Sequence, residues 1–151
     1  MEHPDTLRSM ANLASTFWDH GRWEYAEQLE VLVLQTRKMK LGTQHPSTLR
    51  SMANLALTFS SQGRWEHAEQ LQVQVLETRK TKLGADHPDT LTSMANLAFT
   101  WKSSGRNAKA IELLRSCSAK QEQILGLDHP DTLSSSGTLL EWGTKALDVN
   151  A

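Results

Sequence analysis

The sequence predicts an all-α fold: a right-handed superhelical solenoid of antiparallel helix pairs. The first observation behind this prediction is a repeat, because His-Pro-Asp-Thr or His-Pro-Ser-Thr recurs every 42 residues from His3, His45, His87 and His129. Periods of about 20–50 residues are typical of solenoids, propellers and arrays. The second observation is that apolar residues follow each His-Pro at i, i+3 and i+4 spacings, which indicates amphipathic helices. Strands are not expected, since strict alternation of apolar and polar residues is missing.

The 151 residues are interpreted as one domain, 1–151, with repeats at 3–44, 45–86 and 87–128. The first two repeats are identical at 30 of their 42 positions. A half repeat follows, and its predicted helix over about 130–147 would cover the open face of repeat three. Three repeats with a capping helix are close to the minimum for stability, because an isolated helix pair cannot bury its apolar face.

Each repeat is predicted to hold two helices. In repeat one the first helix starts at Pro4, which suits a first helical turn, and either His3 or Asp5 could cap it. Gly21 ends that helix, and a second helix runs over roughly Trp23–Leu41 before Gly42 closes it. Repeat two copies these signals, and repeat three is the most divergent.

The composition excludes several classes of protein. Lys and Arg number 16 against 17 Asp and Glu, so a net charge of -1 argues against binding to nucleic acid by phosphate neutralisation. The longest aliphatic stretch, Val31 to Leu34, is far shorter than the ~20 residues that span a bilayer. Cys117 is the only cysteine, so no internal disulfide or CxxC motif exists, and a cytoplasmic location is expected. No secretory signal is visible at the N-terminus.

No cofactor, metal site or catalytic residue is predicted. Phosphate loops, nucleophile elbows and HExxH motifs are missing from the sequence. The four recurrent histidines belong to different repeats, which should lie ~8–10 Å or more apart, so they cannot share one zinc ion. A structural role at the helix starts is expected for them instead.

The pattern of small and aromatic residues resembles the tetratricopeptide repeat (TPR). The matching residues of repeat one are Leu13, Ala14, Phe17, Gly21 and Ala26, and both later repeats keep the pattern. The 42-residue period and the Asn-Leu-Ala, Gly-Arg-Trp-Glu and Leu-Gly-x-x-His-Pro segments look like the kinesin light chain subfamily. Similar arrays also form the C-terminal half of fungal NLR-like ATPases. The resemblance implies a non-enzymatic module that binds a peptide or short helix of a partner protein in a concave groove.

Asn12, Asn54 and Asn96 recur in the middle of the first helices, where Asn is a poor helix former. A helical wheel places Asn12 opposite the apolar face. The resemblance implies that these asparagines line the groove and hold the main chain of a bound peptide. The alternative is that they are solvated or link neighbouring first helices.

The same stripe carries Arg8, Arg50, Leu57 and Phe99. The two arginines could bind an acidic group of the ligand. Leu57 and Phe99 are apolar residues on a polar stripe, which suggests a recognition pocket. They could equally pack against the facing second helix.

Other residues are expected to have structural roles. Trp101 occupies the column of Phe17 and Phe59 and should lie in the core, and Cys117 takes the place of Val33 and Val75 as a small buried residue. Trp18 has no counterpart in the repeat, so it is either exposed or covers the open N-terminal side. The two Thr-Arg-Lys runs, at 36–38 and 78–80, are expected to be solvated.

An alternative function is structural. The N-terminal side has no cap comparable to the C-terminal helix and would expose apolar surface, so copies could stack end to end. The chain would then be a monomer or associate weakly. Its start on the first repeat suggests a naturally truncated array or a fragment of a larger adaptor or NLR-like sensor.

Overall fold

The computed structural model describes residues 3–150, with side chains described for residues 3 and 5–143. These residues form α-helices and no strand. The helices are α1 (Pro4–Asp19), α2 (Trp23–Leu41), α3 (Pro46–Ser61), α4 (Trp65–Leu83), α5 (Pro88–Ser103), α6 (Asn107–Ile124) and α7 (Pro130–Asn150). The predicted all-α repeat of helix pairs is confirmed, and α2 has the predicted bounds. The capping helix is longer than the predicted 130–147.

The recurrent histidines cap the first helix of every repeat. In each case the ring Nδ1 accepts a hydrogen bond from the backbone N–H two residues later, at 3.0–3.1 Å. This acceptor satisfies one of the N–H groups that a helix start leaves without an intrahelical partner. The choice between His3 and Asp5 that the sequence left open therefore falls on His3, and Pro4 follows at the first helical position.

Glycines make the turns between the helices. Gly21 has a φ of 74° and follows α1, and its counterparts after α3 and α5 adopt the same left-handed backbone. A residue with a Cβ is strained at such angles. The arrangement brings the N–H of Arg22 to the carbonyl of Phe17 at 2.8 Å, which closes the turn.

The chain divides into two compact units, Met1–Val75 and Leu76–Ala151. In the first unit, α1 packs on α2 and α2 packs on α3. The core there joins α2, α3 and the first half of α4, and it contains Leu34, Leu49, Met52, Leu55, Ala56, Phe59, Ala68 and Val75. Polar contacts reinforce it, because Arg64 after α3 donates to Glu27 of α2 at 2.8 Å and lies over the Phe59 ring.

The second unit holds the end of α4 with α5, α6 and α7. Its core is formed by Leu76, Leu91, Met94, Leu97, Ala98, Ala110, Leu114, Cys117 and Trp142. Cys117 is fully buried, as predicted, and its burial raises the pKa of the thiol to about 11. Trp142 of α7 is buried against this core, which is the packing expected of the capping helix. Whether both units act as one domain, 1–151, remains a prediction.

The expectation that the Thr-Arg-Lys runs are solvated is wrong for their arginines. Arg37, predicted to be solvated, donates from Nη1 to the Ser51 hydroxyl at 2.7 Å and to the Ser47 carbonyl at 3.3 Å. Arg79 makes the same two contacts with Ser93 and Asp89 of α5. These arginines therefore tie α2 to the start of α3 and α4 to the start of α5. Trp101, predicted to be core, packs against the second unit's core and is partly buried there.

The histidine caps predict a specific loss of stability. Replacing His45 with Ala removes the Nδ1 acceptor and should lower the free energy of unfolding by about 0.5–2 kcal/mol. His45→Asn keeps a side-chain acceptor at the cap and should lose much less. Urea denaturation of both variants beside the wild type measures the difference. Equal losses in the two variants would show that the ring acts by packing and not as a hydrogen-bond acceptor.

Candidate functional site

The residues predicted to bind a peptide lie on the first helices of the repeats. Arg8 and Asn12 are exposed on α1, and Arg50 is exposed on α3. Asn54 is half-buried on α3, beside an exposed Leu57. Asn96 is half-buried and Phe99 is exposed on α5, in the second unit. None of these side chains is fully buried.

Three arginines form a basic cluster at one end of the first unit. Arg8 of α1, Arg37 of α2 and Arg50 of α3 lie close enough to interact electrostatically. Burial first, and then the charges of Arg50 and Arg8, lower the pKa of the Arg37 guanidinium. Within the described residues neither Arg8 nor Arg50 forms an ion pair. Like charges held together without a counter-ion attract an anionic group.

A cavity of about 110 Å³ opens between α1, α2 and α3. Its lining combines two carboxylates, an amide, a hydroxyl and two apolar side chains: Ser15, Trp18, Asp19, Glu30, Asn54 and Leu57. A narrower crevice beside it is lined by Ala11, Val33 and Ser51 and shares Glu30 and Asn54. Of the predicted residues, the structure brings Asn54 and Leu57 into this cavity.

Glu30 lies at the base of the cavity and is 9% exposed. Its Oε1 accepts a hydrogen bond of 2.5 Å from the hydroxyl of Thr58, a fully buried residue of α3. Burial raises the pKa of Glu30 to about 7, with the nearby Glu27 carboxylate adding to the rise, whereas the Thr58 hydrogen bond acts in the opposite direction. The cavity therefore contains a carboxyl group that can change its charge near neutral pH.

Phe99 in the second unit is already partly engaged. Its ring makes an edge-on contact with Trp142 of α7, with 5.5 Å between centroids, and its side chain remains 44% exposed. The ring therefore packs on the capping helix and still presents apolar surface. Lys102 lies near the same Trp142 ring, at 5.8 Å from its centroid.

The sequence analysis missed Glu30, Asp19 and Arg37 as candidate site residues and left Trp18 undecided. Trp18 is 37% exposed and forms part of the cavity lining. A signal was present, because Trp18, Asp19 and Glu30 are among the few positions where repeats one and two differ. Such differences point away from the packing that both repeats share. Arg37 gave no such signal, since repeat two carries Arg79 in its place.

The fold and the faces described above define a helical-repeat protein, and the comparisons assign its family. The tetratricopeptide repeat pattern matches residues 6–47, 48–89 and 90–131. The chain therefore belongs to the tetratricopeptide repeat family. The matches keep the predicted 42-residue period and are offset by three residues from the predicted repeats. Members of this family generally mediate protein–protein interaction or assembly.

Solved structures support the kinesin light chain-like form of the repeat. The chain is 32% identical to a Podospora anserina kinesin light chain-type protein with nearly identical TPR-like repeats, with a TM-score of 0.85 over 94% of this chain and 67% of that one. A point variant of that protein gives a TM-score of 0.84 at the same identity and coverage. BtubC (BKLC) of P. vanneervenii shares the fold, at 19% identity and a TM-score of 0.79, over 95% of this chain and 59% of that one. No curated protein matches the sequence.

Two further observations limit the chemistry of the described part of the chain. No group of three or more His, Cys, Asp or Glu side chains there is arranged to hold a metal ion. None of the helices is long and apolar enough, over the same residues, to cross a membrane. The recurrent histidines are instead held at helix starts, where they act as caps.

The buried Glu30 predicts that stability depends on pH. Its pKa rises from 4.5 to about 7 on folding, so the folded state binds more protons between these values. The stability gained from protonation is complete below pH ~4.5 and is lost as the pH rises through ~7. Between pH 5 and 8 the free energy of unfolding should fall by roughly 1–2 kcal/mol more in the wild type than in Glu30→Gln. Water at the open side of the cavity screens the Glu30 carboxyl group, so the expected fall in the free energy of unfolding is smaller than the full pKa shift would give.

Urea denaturation at pH 5, 6.5 and 8 measures this difference. Glu24→Gln is the matched control, since Glu24 is an exposed carboxylate of the same helix. The control should follow the wild type at every pH. If Glu30→Gln also follows it, Glu30 does not titrate in this range in the folded protein.

Proposed function

We propose that the chain is a non-enzymatic module that binds an extended peptide or short helix of a partner protein through residues on the first helices of its repeats. The observation that carries the proposal is the cavity of the first unit, where polar and apolar side chains from three helices meet. Ligand sites commonly combine apolar walls with a few polar groups that fix orientation. Family membership supports a protein partner, since such repeats generally mediate protein interaction or assembly.

Within this proposal, the amides of Asn12, Asn54 and Asn96 hold the main chain of the peptide. An amide suits that task because it both donates and accepts hydrogen bonds. Leu57 and Phe99 offer apolar anchors, being 37% and 44% exposed. Arg8 and Arg50, together with Arg37, bind an acidic side chain through their uncompensated charge.

The proposal extends to the setting of the module. A cytoplasmic location is supported by the buried, unpaired Cys117 thiol, which suits a reducing compartment. A role inside a larger adaptor or NLR-like sensor is compatible with matches that span only part of longer repeat proteins. The partner would be a protein, and the chain would bind neither nucleic acid nor a membrane.

The asparagines provide the test of peptide binding. Asn54→Ala combined with Asn96→Ala should abolish binding of peptides selected on the wild type from a displayed library of random twelve-residue peptides. The thermal midpoint should remain nearly unchanged, because both side chains are only half-buried. Fluorescence anisotropy of the labelled peptides measures binding, and circular dichroism measures the midpoint.

A matched control replaces two other amides in equivalent positions of the first two repeats. Gln28→Ala with Gln70→Ala removes exposed amides from α2 and α4 and should leave binding intact. A collapse of the thermal midpoint in the asparagine variant would show that these amides are structural. Unchanged affinity would exclude them from the binding site.

A second candidate function is self-assembly through the face of α1. Leu13 is 48% exposed, whereas Leu55 and Leu97 at the same position of later repeats are 4% and 2% exposed. Leu55 and Leu97 lie in core clusters that include a preceding second helix, represented by Leu34 and Leu76. Among the described residues α1 has no helix before it, so another copy could cover this face.

Static light scattering over a concentration series tests assembly. The apparent mass should rise with concentration in the wild type and stay at that of a monomer in Leu13→Glu, because a charged side chain cannot be buried without a partner. Met39→Glu, at a residue of α2 that is 87% exposed, is the control and should associate like the wild type. A wild type that stays monomeric at high concentration excludes this candidate.

A further inference from the structure

We propose that the cavity between α1, α2 and α3 binds a lysine or arginine side chain of the partner peptide. The inference rests on the proposed function and sharpens it, since it names the chemistry of one ligand residue and the pocket that selects it. The partner peptide would then carry a basic residue for this cavity and an acidic residue for the arginine cluster.

The size and walls of the cavity suit an unbranched side chain with a polar end. The cavity of about 110 Å³ exceeds the ~30 Å³ that one water occupies in the liquid, so the end of a side chain fits there, and its open side lets that chain enter. Trp18 and Leu57, each 37% exposed, offer apolar walls. Lysine and arginine bury their methylene groups against apolar surface of this kind while their charged ends reach polar groups.

The charge of the cavity selects a cation. Asp19 from α1 is exposed and forms no ion pair within the part of the chain that the structure describes, and Glu30 from α2 lies at the base. The other charged groups nearby are Glu27 of α2 and Arg64 after α3, which already pair with each other at 2.8 Å. Two carboxyl groups therefore face the cavity without a cationic partner, and an incoming ammonium or guanidinium group would supply one.

The acidic and aromatic residues that line the cavity come from the first repeat and are replaced in the other two. Trp18, Asp19 and Glu30 correspond to Ser60, Ser61 and Gln72 in repeat two, and to Lys102, Ser103 and Leu114 in repeat three. Repeats two and three thus form helix pairs without these carboxylates, so packing of the pair does not require them. The differences concentrate acidic and aromatic side chains at one place, which is where a specific contact would be made.

The arginine cluster sets the spacing of the ligand. Along α1, Arg8 precedes Asp19 by 11 residues, which corresponds to roughly 16 Å at about 1.5 Å per residue. An extended peptide advances about 3.3 Å per residue, so about five residues cover that distance. We therefore expect the ligand to carry an acidic and a basic residue about five positions apart.

Binding should release a proton. A cation in the cavity favours the ionised form of Glu30, whose pKa without a ligand is about 7. The charged groups that share its surroundings are Asp19 on α1, Glu27 on α2 and Arg64 after α3. Affinity for the basic residue should consequently rise between pH 6 and 8. A carboxyl group with only a structural role would give no such dependence on the ligand's charge.

The test compares peptide selection by the wild type and by a variant copied from repeat two. Libraries of random twelve-residue peptides displayed on phage are selected on the wild type and on Asp19→Ser with Glu30→Gln. The wild type should enrich Lys or Arg about five positions from Asp or Glu. The variant should still select peptides with the acidic residue but without the basic one, because the arginine cluster is unchanged.

Selected peptides then give a quantitative readout. Replacing their Lys with norleucine should weaken binding to the wild type about tenfold at pH 8 and much less at pH 6, measured by fluorescence anisotropy. The variant should bind both peptides equally. Isothermal titration in two buffers of different ionisation enthalpy should show proton release only with the Lys peptide on the wild type. Asp19→Ser alone repeats the test at an exposed residue if the double variant does not fold.

The outcomes separate the two proposals. Selected peptides without a preference for Lys or Arg would overturn the basic-residue pocket and leave the proposed function standing. A preference that persists unchanged in the variant would also overturn the pocket. A wild type that selects no peptide would overturn the proposed function, and the pocket with it. Glu24→Gln, at an exposed carboxylate of α2, is the charge control and should select the same peptides as the wild type.

Discussion

The requirement on which this structure depends is that the first helices α3 and α5 are each covered on two sides by second helices. In the first unit α3 packs on α2 and shares a core with the first half of α4. In the second unit α5 shares a core with the end of α4 and with α6. A helix pair alone would leave one of these apolar faces in water, and no pair of this size buries enough area to offset its conformational entropy. The sequence meets that requirement by repeating the same apolar positions every 42 residues.

The contacts that meet this requirement also restrict where binding chemistry can evolve. Leu49, Ala56 and their counterparts in the other repeats are buried by helix packing. Ser51 and its counterpart in the next repeat accept hydrogen bonds from Arg37 and Arg79. The stripe of the first helices that faces neither second helix lies outside these contacts. It carries Arg8, Arg50 and the asparagines, and it borders the cavity. The same packing that holds the helices together therefore brings side chains from α1, α2 and α3 together on one surface.

Most of the fold could be predicted from the sequence because local signals recur. The bounds of α2 and the turn at Gly21 follow from apolar periodicity and from the glycine, and the fold class follows from the period. The cap at His3 could not be chosen over Asp5, because both residues can accept a hydrogen bond near a helix start and only the backbone geometry selects one. The role of Arg37 was hidden for a different reason: its partners, Ser47 and Ser51, lie on the next repeat, and a helical wheel contains no information about neighbours.

The residues that line the cavity could likewise be predicted only in part from the sequence. The wheel placed Asn54 and Leu57 on the exposed stripe, and both line the cavity. Glu30 belongs to a second helix, so an analysis confined to first helices could not include it. Only tertiary packing brings it beneath α1 and α3, where Thr58 binds its carboxyl group.

Burying the Glu30 carboxyl group also has an energetic cost, and repeat three avoids that cost at the same position. Burying a carboxyl group is unfavourable unless it is neutralised or paired, and its raised pKa reflects this cost. Leu114 occupies the same position in repeat three, and the position of Thr58 is taken by Trp142, so an apolar pair there joins the second unit's core. The fold thus accepts an apolar solution at this place, and such replacements are often neutral or stabilising. A buried acid kept where an apolar residue fits, beside an exposed aspartate and tryptophan, is better explained by a ligand than by stability, because sites that bind commonly retain groups that folding alone would disfavour.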